Sequence, residues 1–268
     1  MNWQEDRRKK WSGKVGVQSF FGGISCLVVM FLLVQGMIFM NGDMQETALL
    51  ANKSVTEKDT IKEKKVAYLT FDDGPSILTT EYLKILKEEE VQATFFLIGQ
   101  QLEGDMVEVA RQTIEDGHEV GLHTYCHVAE EIYSSQETYC QDLEKTKVCI
   151  EEKLNITPKF FRFPWGSSNS YVKGYKSEVV EYMKKEGIDY VDWNVSGEDS
   201  VGYPSADSIL SNIRRDYKKY NEPVILLHDS ATCKETLYAL RGIIRELKAE
   251  GYSFGTLSER EEPCHFGE

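Results

Sequence analysis

Seven side chains in this sequence have the types and placement for hydrolytic chemistry: Asp72, Asp73, His123, His127, Arg162, Asp192 and His228. Asp72 and Asp73 end the apolar, β-prone run Val66-Ala67-Tyr68-Leu69-Thr70-Phe71, and Gly74-Pro75 then turns the backbone. A strand that ends this way can deliver acids to a site. Side chains on successive strand residues point to opposite faces. If the strand breaks at the pair, one carboxylate can hold a metal while the other handles a proton. The same tetrapeptide also suits a solvated turn, so partners elsewhere in the chain decide.

His123 and His127, in Gly121-Leu122-His123-Thr124-Tyr125-Cys126-His127, stand four residues apart after another strand-like run. One helical turn there would aim both rings at one point, and neutral imidazole is the commonest side-chain metal ligand. Two imidazoles and one carboxylate leave coordination positions open and suit zinc or another divalent transition metal. Phe160-Phe161-Arg162-Phe163-Pro164-Trp165-Gly166 sets an arginine at a strand end, where its fork can orient a carboxylate. Asp189-Tyr190-Val191-Asp192-Trp193 and Val224-Ile225-Leu226-Leu227-His228-Asp229 place an acid and a histidine at two further strand ends.

The elements that must position these groups follow from the hydrophobic pattern. Strands are expected at 66–71, 92–98, 119–122, 159–162, 189–193, 223–227 and 253–255. Helices are expected at 78–90, 105–116, 134–154, 179–187, 206–220 and 236–251. Strand–helix alternation implies parallel strands with right-handed crossovers, and about seven of them form an open sheet or close into a barrel. In such folds ligands sit at the carboxyl ends of the strands, which is where the unusual residues fall.

Five motifs in this order resemble the polysaccharide deacetylases of carbohydrate esterase family 4, whose catalytic unit is the NodB homology domain. They are Thr70-Phe71-Asp72-Asp73-Gly74-Pro75, His123-Thr124-Tyr125-Cys126-His127, Arg162-Phe163-Pro164-Trp165, Asp189-Tyr190-Val191-Asp192-Trp193 and Leu226-Leu227-His228-Asp229. The resemblance spans residues 70–229 and implies an α/β fold, a distorted (β/α) barrel of about seven parallel strands. It also implies roles. Asp73, His123 and His127 would hold one divalent metal ion, zinc ahead of cobalt or another transition metal. Asp72 would be the general base, oriented by Arg162, and His228 the general acid, tuned by Asp192. Trp193 and Leu226 would line the acetyl pocket, and the Trp165 backbone N–H would help bind the oxyanion. The family more often carries Arg-Pro-Pro-Tyr in its third motif where this chain has Arg-Phe-Pro-Trp, and Trp165 would reshape one wall of the cleft. The implied partner is an acetylated extracellular glycan, N-acetylglucosamine of peptidoglycan first. Chitin oligomers, poly-N-acetylglucosamine and O-acetylated xylan are the alternatives.

The chemistry independently asks for such parts. Amide hydrolysis needs an activated water, stabilisation of a tetrahedral oxyanion and a proton for the departing amine. A glycoside hydrolase using Asp72 and Asp73 is a competing class, but adjacent acids do not supply the roughly 5–9.5 Å carboxylate separation it needs, and the histidine pair goes unused. A glycan-binding protein without turnover is a third class, and the filled acid, base and ligand positions speak against it. Glu198 and Asp199 read as solvated loop residues.

The rest of the sequence bounds where such a site works. Residues 15–40 are uniformly apolar rather than amphipathic, long enough for a membrane helix of about 20 residues. The apolar core of a cleaved signal is shorter, about 7–15 residues. The expected organisation is a cytoplasmic basic tail at 1–14, one transmembrane anchor at 15–40, an extracellular linker at 41–65, the catalytic domain at 66–258 and a C-terminal tail at 259–268. Five basic against two acidic residues make the first forty +3, so the remainder carries −16 of the chain's −13 net charge. So acidic a body argues against nucleic acid as the ligand. Six cysteines are present, and Cys26 lies in the expected anchor, leaving an odd five outside. At least one of those five cannot pair within the domain. Cys140 and Cys149 fall on opposite faces of one expected helix and should not bridge.

Overall fold

The computed structural model describes residues 64–267. The expected basic tail, the anchor at 15–40 and linker residues up to 63 lie outside the described residues. Among the described residues no helix is long and apolar enough to cross a membrane. The elements run β1 (Val66–Gly74), α1 (Thr79–Glu88), β2 (Ala93–Ile98), α2 (Asp105–Glu115), β3 (Glu119–Thr124), α3 (Ala129–Ile132), α4 (Gln136–Leu154), β4 (Phe160–Phe161) and α5 (Lys176–Lys185). They continue with β5 (Asp189–Tyr190), β6 (Val195–Ser196), α6 (Ala206–Asp216), β7 (Val224–His228), α7 (Lys234–Ala249) and β8 (Ser253–Phe254).

The strands lie in the order β5-β4-β3-β2-β1-β7-β6, every pair parallel, with β8 added to the start of β1. β1 and β2 are buried almost throughout and read as continuous apolar runs, as parallel strands covered on both faces do. Strand parity sorts their side chains. Leu69, Phe71, Phe95, Leu97, Ile225 and Leu227 join the helices' Leu83, Leu86, Leu240 and Ile244 in one core. Tyr68, Phe96, Val191 and Val224 form a separate cluster, with Trp193 packed against it. Asp72 shares the parity of Tyr68 and therefore belongs to this inner face.

The connection between β5 and β6 fixes the curl. These strands stand at opposite ends of the sheet order, yet only residues 191–194 join them. A flat seven-strand sheet would hold them about 29 Å apart at roughly 4.8 Å per strand, whereas the connection reaches about 16 Å when extended. The sheet must roll up. The result is a curled, open (β/α) barrel, its seam lying between β5 and β6.

One expected strand is corrected. The run 189–193 pairs as a strand only through Tyr190, because the chain must leave the sheet to cross the seam, and β6 beyond it was not foreseen. A two-residue strand carries no periodicity to detect. The segment after 258 lies against the seam, where the Asp192 N–H donates to the Cys264 carbonyl (2.7 Å). Cys126, Cys140, Cys149 and Cys233 are free thiols.

Candidate metal and hydrolytic site

The two acids reach one rim because β1 bulges between them. Its register against β2 slips so that Asp72 lies opposite Phe96 and Gly74 opposite Leu97, leaving Asp73 as the extra residue. Asp73 has φ 72°, in the left-handed region that aspartate enters more readily than most residues. Bulges of this kind re-aim a side chain at the end of a strand. Gly74 is required next to it, since a Cβ there would sit 2.8 Å from Asp229 Oδ2. Asp229 is fully buried and accepts from Ser76 Oγ (2.6 Å) and Thr79 Oγ1 (2.5 Å), while its N–H donates to the Asp72 carbonyl (2.7 Å). Burial pushes its carboxyl up to about 6. The turn carrying both acids is thus fastened to the end of β7.

Asp73, His123 and His127 present ligand atoms that all lie within 4.8 Å of one another. Asp73 Oδ1 is 3.3 Å from His123 Nε2 and 3.4 Å from His127 Nε2. His123 Nδ1 lies 3.0 Å from the Arg162 carbonyl, which can only accept, so Nδ1 carries a proton and Nε2 is the nitrogen turned to the cluster. Burial, with His123 adding to it, lowers His127 to about 4 and keeps that ring neutral. Buried Asp73 Oδ1 has no hydrogen-bond partner. A carboxylate oxygen and two imidazole nitrogens therefore converge, a donor set that suits a divalent cation once the rings are neutral. His127 does not arrive by a helical turn, as its spacing suggested. It sits in a bend at φ 55°, its N–H donating to Thr124 Oγ1 (3.0 Å).

Arg162 is fully buried and fills the inside of the seam. Its Nη1 donates to Asp72 Oδ1 (2.9 Å) and Thr70 Oγ1 (2.7 Å), its Nε to the Val191 carbonyl (2.9 Å) and its Nη2 to the Asp192 carbonyl (3.0 Å). The guanidinium thereby satisfies carbonyls of the connection that has left the sheet. Its plane lies against Phe96 (4.2 Å) and Trp193 (5.7 Å). Asp72 Oδ2 faces the cluster at 4.0 Å from His123 Nε2.

His228 lies opposite Asp72 on the neighbouring strand. The expectation that Asp192 tunes it is corrected. His228 Nδ1 and its backbone N–H both pair with Asp199 (2.8 Å each), which also accepts from Thr236 Oγ1 (2.7 Å). Asp199 is 3% exposed and no solvated loop residue. The Asp192 carboxylate instead accepts from the Ser167 N–H (2.9 Å), Ser167 Oγ (2.6 Å) and the Phe266 N–H (3.0 Å). Spacing after the fifth strand run pointed to the wrong acid. Asp199 closes the segment behind β6 just as the other acids close theirs, a signal legible only once β6 is known.

Trp165 stands at φ 61° with its ring half exposed against His127 (5.1 Å). Leu226 is buried in β7 opposite Thr70, and Trp193 is half-buried over Arg162. Beside the cluster a cavity of about 410 Å³ is lined by Asp73, Asp199, Tyr203, Ser230, Thr232 and Glu235 among others.

A carboxylate held by arginine and an imidazole held by a second carboxylate, on adjacent strands beside three convergent ligands, make the working set of a metal-assisted hydrolase. A polysaccharide deacetylase family model matches residues 59–191. A peptidoglycan-N-acetylglucosamine deacetylase of Bacillus cereus is 33% identical over 213 residues, covering 78% of this chain and 75% of that protein. The catalytic domain of a peptidoglycan N-acetylglucosamine deacetylase from Eubacterium rectale superposes with a TM-score of 0.70 at 31% identity, over 76% of this chain and 93% of that one. A CE4 family pseudoenzyme from Bacillus anthracis also superposes, with a TM-score of 0.63 at 26% identity, over 76% of this chain and 67% of that one. The chain belongs to the polysaccharide deacetylase family, hydrolases acting on amide bonds.

Proposed function

We propose that this protein removes the N-acetyl group from N-acetylglucosamine residues of peptidoglycan, using one divalent cation, zinc in the first instance, held by Asp73, His123 and His127. The observation that carries the reading is the pair of differently supported groups beside that cluster: Asp72 on Arg162 and His228 on Asp199. A bound cation supplies Lewis acidity towards the acetyl carbonyl and a lower pKa for attacking water. Asp72, its Oδ1 fixed by Arg162, takes the proton from that water. His228 gives one to the departing nitrogen. Asp73 stands within reach of two imidazoles and is not free to act as a glycosidase nucleophile. The names of the Bacillus cereus and Eubacterium rectale relatives support the peptidoglycan preference. So does the apolar stretch at 15–40, which would hold the catalytic domain on the outer face of the cell membrane.

The direct test incubates the full-length chain with purified peptidoglycan, chitin oligomers and acetylxylan, and measures acetate with chelator, without it, and after zinc or cobalt is restored. Peptidoglycan is expected to release acetate, chelation to stop it and metal to restore it. Chelator-insensitive release would remove the metal from the reading, and release from acetylxylan alone would remove peptidoglycan.

The His228–Asp199 pair predicts a pH signature. Burial lowers His228, but Asp199 outweighs it, with Asp72 and Asp73 adding, so the imidazole is raised to about 9. A group raised in the folded state stays protonated below that value and loses its proton above it. Activity that needs the imidazolium therefore falls on the alkaline side. A cation at the cluster pulls this limb lower without changing what the pairing does. Asp199→Asn is expected to shift the alkaline limb of kcat to lower pH, and an unmoved limb would remove His228 as the acid.

A further inference from the structure

We propose that the C-terminal segment Cys264–Phe266 is a working part of the cleft, with Asp192 and Phe266 as positioning residues that hold the wall made by Trp165, Gly166 and Trp193. The inference rests on the deacetylase reading above but not on the choice of glycan. Asp192 is fully buried and bonded on two sides. Its N–H donates to the Cys264 carbonyl (2.7 Å), and its carboxylate accepts from the Phe266 N–H (3.0 Å) and from both the N–H and the hydroxyl of Ser167. One side chain thus ties residues 264–266 to the turn that follows the arginine motif. A buried carboxylate satisfied by three donors is costly to disturb, because each lost partner leaves charge unpaired.

The Phe266 ring completes the tie. It meets Trp193 edge-on at 4.8 Å and 82°. A Cβ at Gly166 would lie 2.6 Å from the Phe266 ring and 2.9 Å from Trp193. Gly166 also has φ 80° and follows Trp165 at φ 61°. Glycine takes that conformation freely, but a tryptophan persists in it only where the surroundings over-determine it, and Phe266, Trp193 and Asp192 hold the two residues that follow Trp165. From this brace the line of contact runs forward in two directions. Through Trp165 it reaches the ring of His127 (5.1 Å), and through Trp193 it reaches Arg162 (5.7 Å), which fixes Asp72. His265 stacks on Tyr190 (3.9 Å, 13°) and keeps the segment against the seam. The barrel's missing strand pairing is therefore covered by residues 264–266, next to the groups that must hold their geometry most closely.

The test compares the full-length wild type with Phe266→Ala, Phe266→Leu and a chain ending at Pro263, using acetate release from whichever glycan the wild type deacetylates. Displacing a wall that orients reacting groups costs up to about 10²-fold, so Phe266→Ala is expected to lower kcat about tenfold or more. Metal stoichiometry should be retained, and Phe266→Leu should recover most of the loss. Tryptophan emission should shift to the red as Trp193 becomes hydrated, and the truncated chain should match or exceed the Ala defect. Unchanged kcat and KM in Phe266→Ala, whether or not the melting temperature falls, would overturn the inference and leave the segment a cover only. Wild type that releases no acetate from any glycan would count against the deacetylase reading itself. An active wild type with an equally active Phe266→Ala counts against this inference alone.

Discussion

Asp72→Asn is expected to lower kcat by about 10²- to 10⁴-fold, the usual worth of a positioned general base, while metal content stays near that of the wild type. The two proposed functions fall on differently placed carboxylates. Asp73 Oδ1 lies 3.3–3.4 Å from the two imidazole nitrogens, whereas Asp72 turns Oδ1 to Arg162 and leaves Oδ2 at 4.0 Å from His123 Nε2. An asparagine keeps the size of the group and an oxygen for Arg162 but cannot take a proton at neutral pH. His123→Ala should behave differently, because it removes one of the three proposed ligands and the ring oriented by the Arg162 carbonyl. That variant is expected to lose the metal along with activity. Metal analysis beside single-turnover acetate release separates the two, and substantial turnover by Asp72→Asn would take the base away from Asp72.

Arg162→Met is expected to destabilise the domain by about 3–5 kcal/mol, the range for breaking a buried ion pair. The size follows from what one guanidinium satisfies: the Asp72 carboxylate, Thr70 Oγ1 and the carbonyls of Val191 and Asp192, all at 3.0 Å or less. Methionine fills some of the volume beside Phe96 but donates nothing. The carboxylate, only 4% exposed, is then left without its cation. At 2–4 °C per kcal/mol for a domain of this size, the melting temperature should fall by about 10 °C. Thermal unfolding followed by circular dichroism measures it. A fall of only a degree or two would mean that water replaces the guanidinium in the seam. Arg162→Lys should recover little, since a point charge cannot serve four acceptors from one position.

Much of this arrangement was legible in the chain. Val66–Phe71, Gln92–Ile98 and the helical periodicities lie within a few residues of β1, β2 and the observed helices, because buried parallel strands and amphipathic helices write their burial directly into residue order. Asp72, Asp73, His123, His127, Arg162 and His228 were selected from their places after strands, and the fold gathers them on one rim. Asp192 and Asp199 exchanged parts for a different reason. Both follow short, weakly patterned runs, and their partners, Ser167 and Phe266 for one, His228 and Thr236 for the other, are distant in sequence. The same holds for the bend that delivers His127 and the bulge that turns Asp73 towards it.

The sequence by itself determined the class of sheet, the order of its elements and the set of residues able to do chemistry, since local pattern and residue type are properties of neighbours along the chain. Tertiary structure alone decided which acid serves which histidine, how two adjacent aspartates come to face one rim, and that residues 264–266 close the seam beside them. Those are matters of which distant groups meet once the sheet curls, and curling is enforced by a four-residue connection whose consequence appears only when its two strands are found at opposite ends of the sheet.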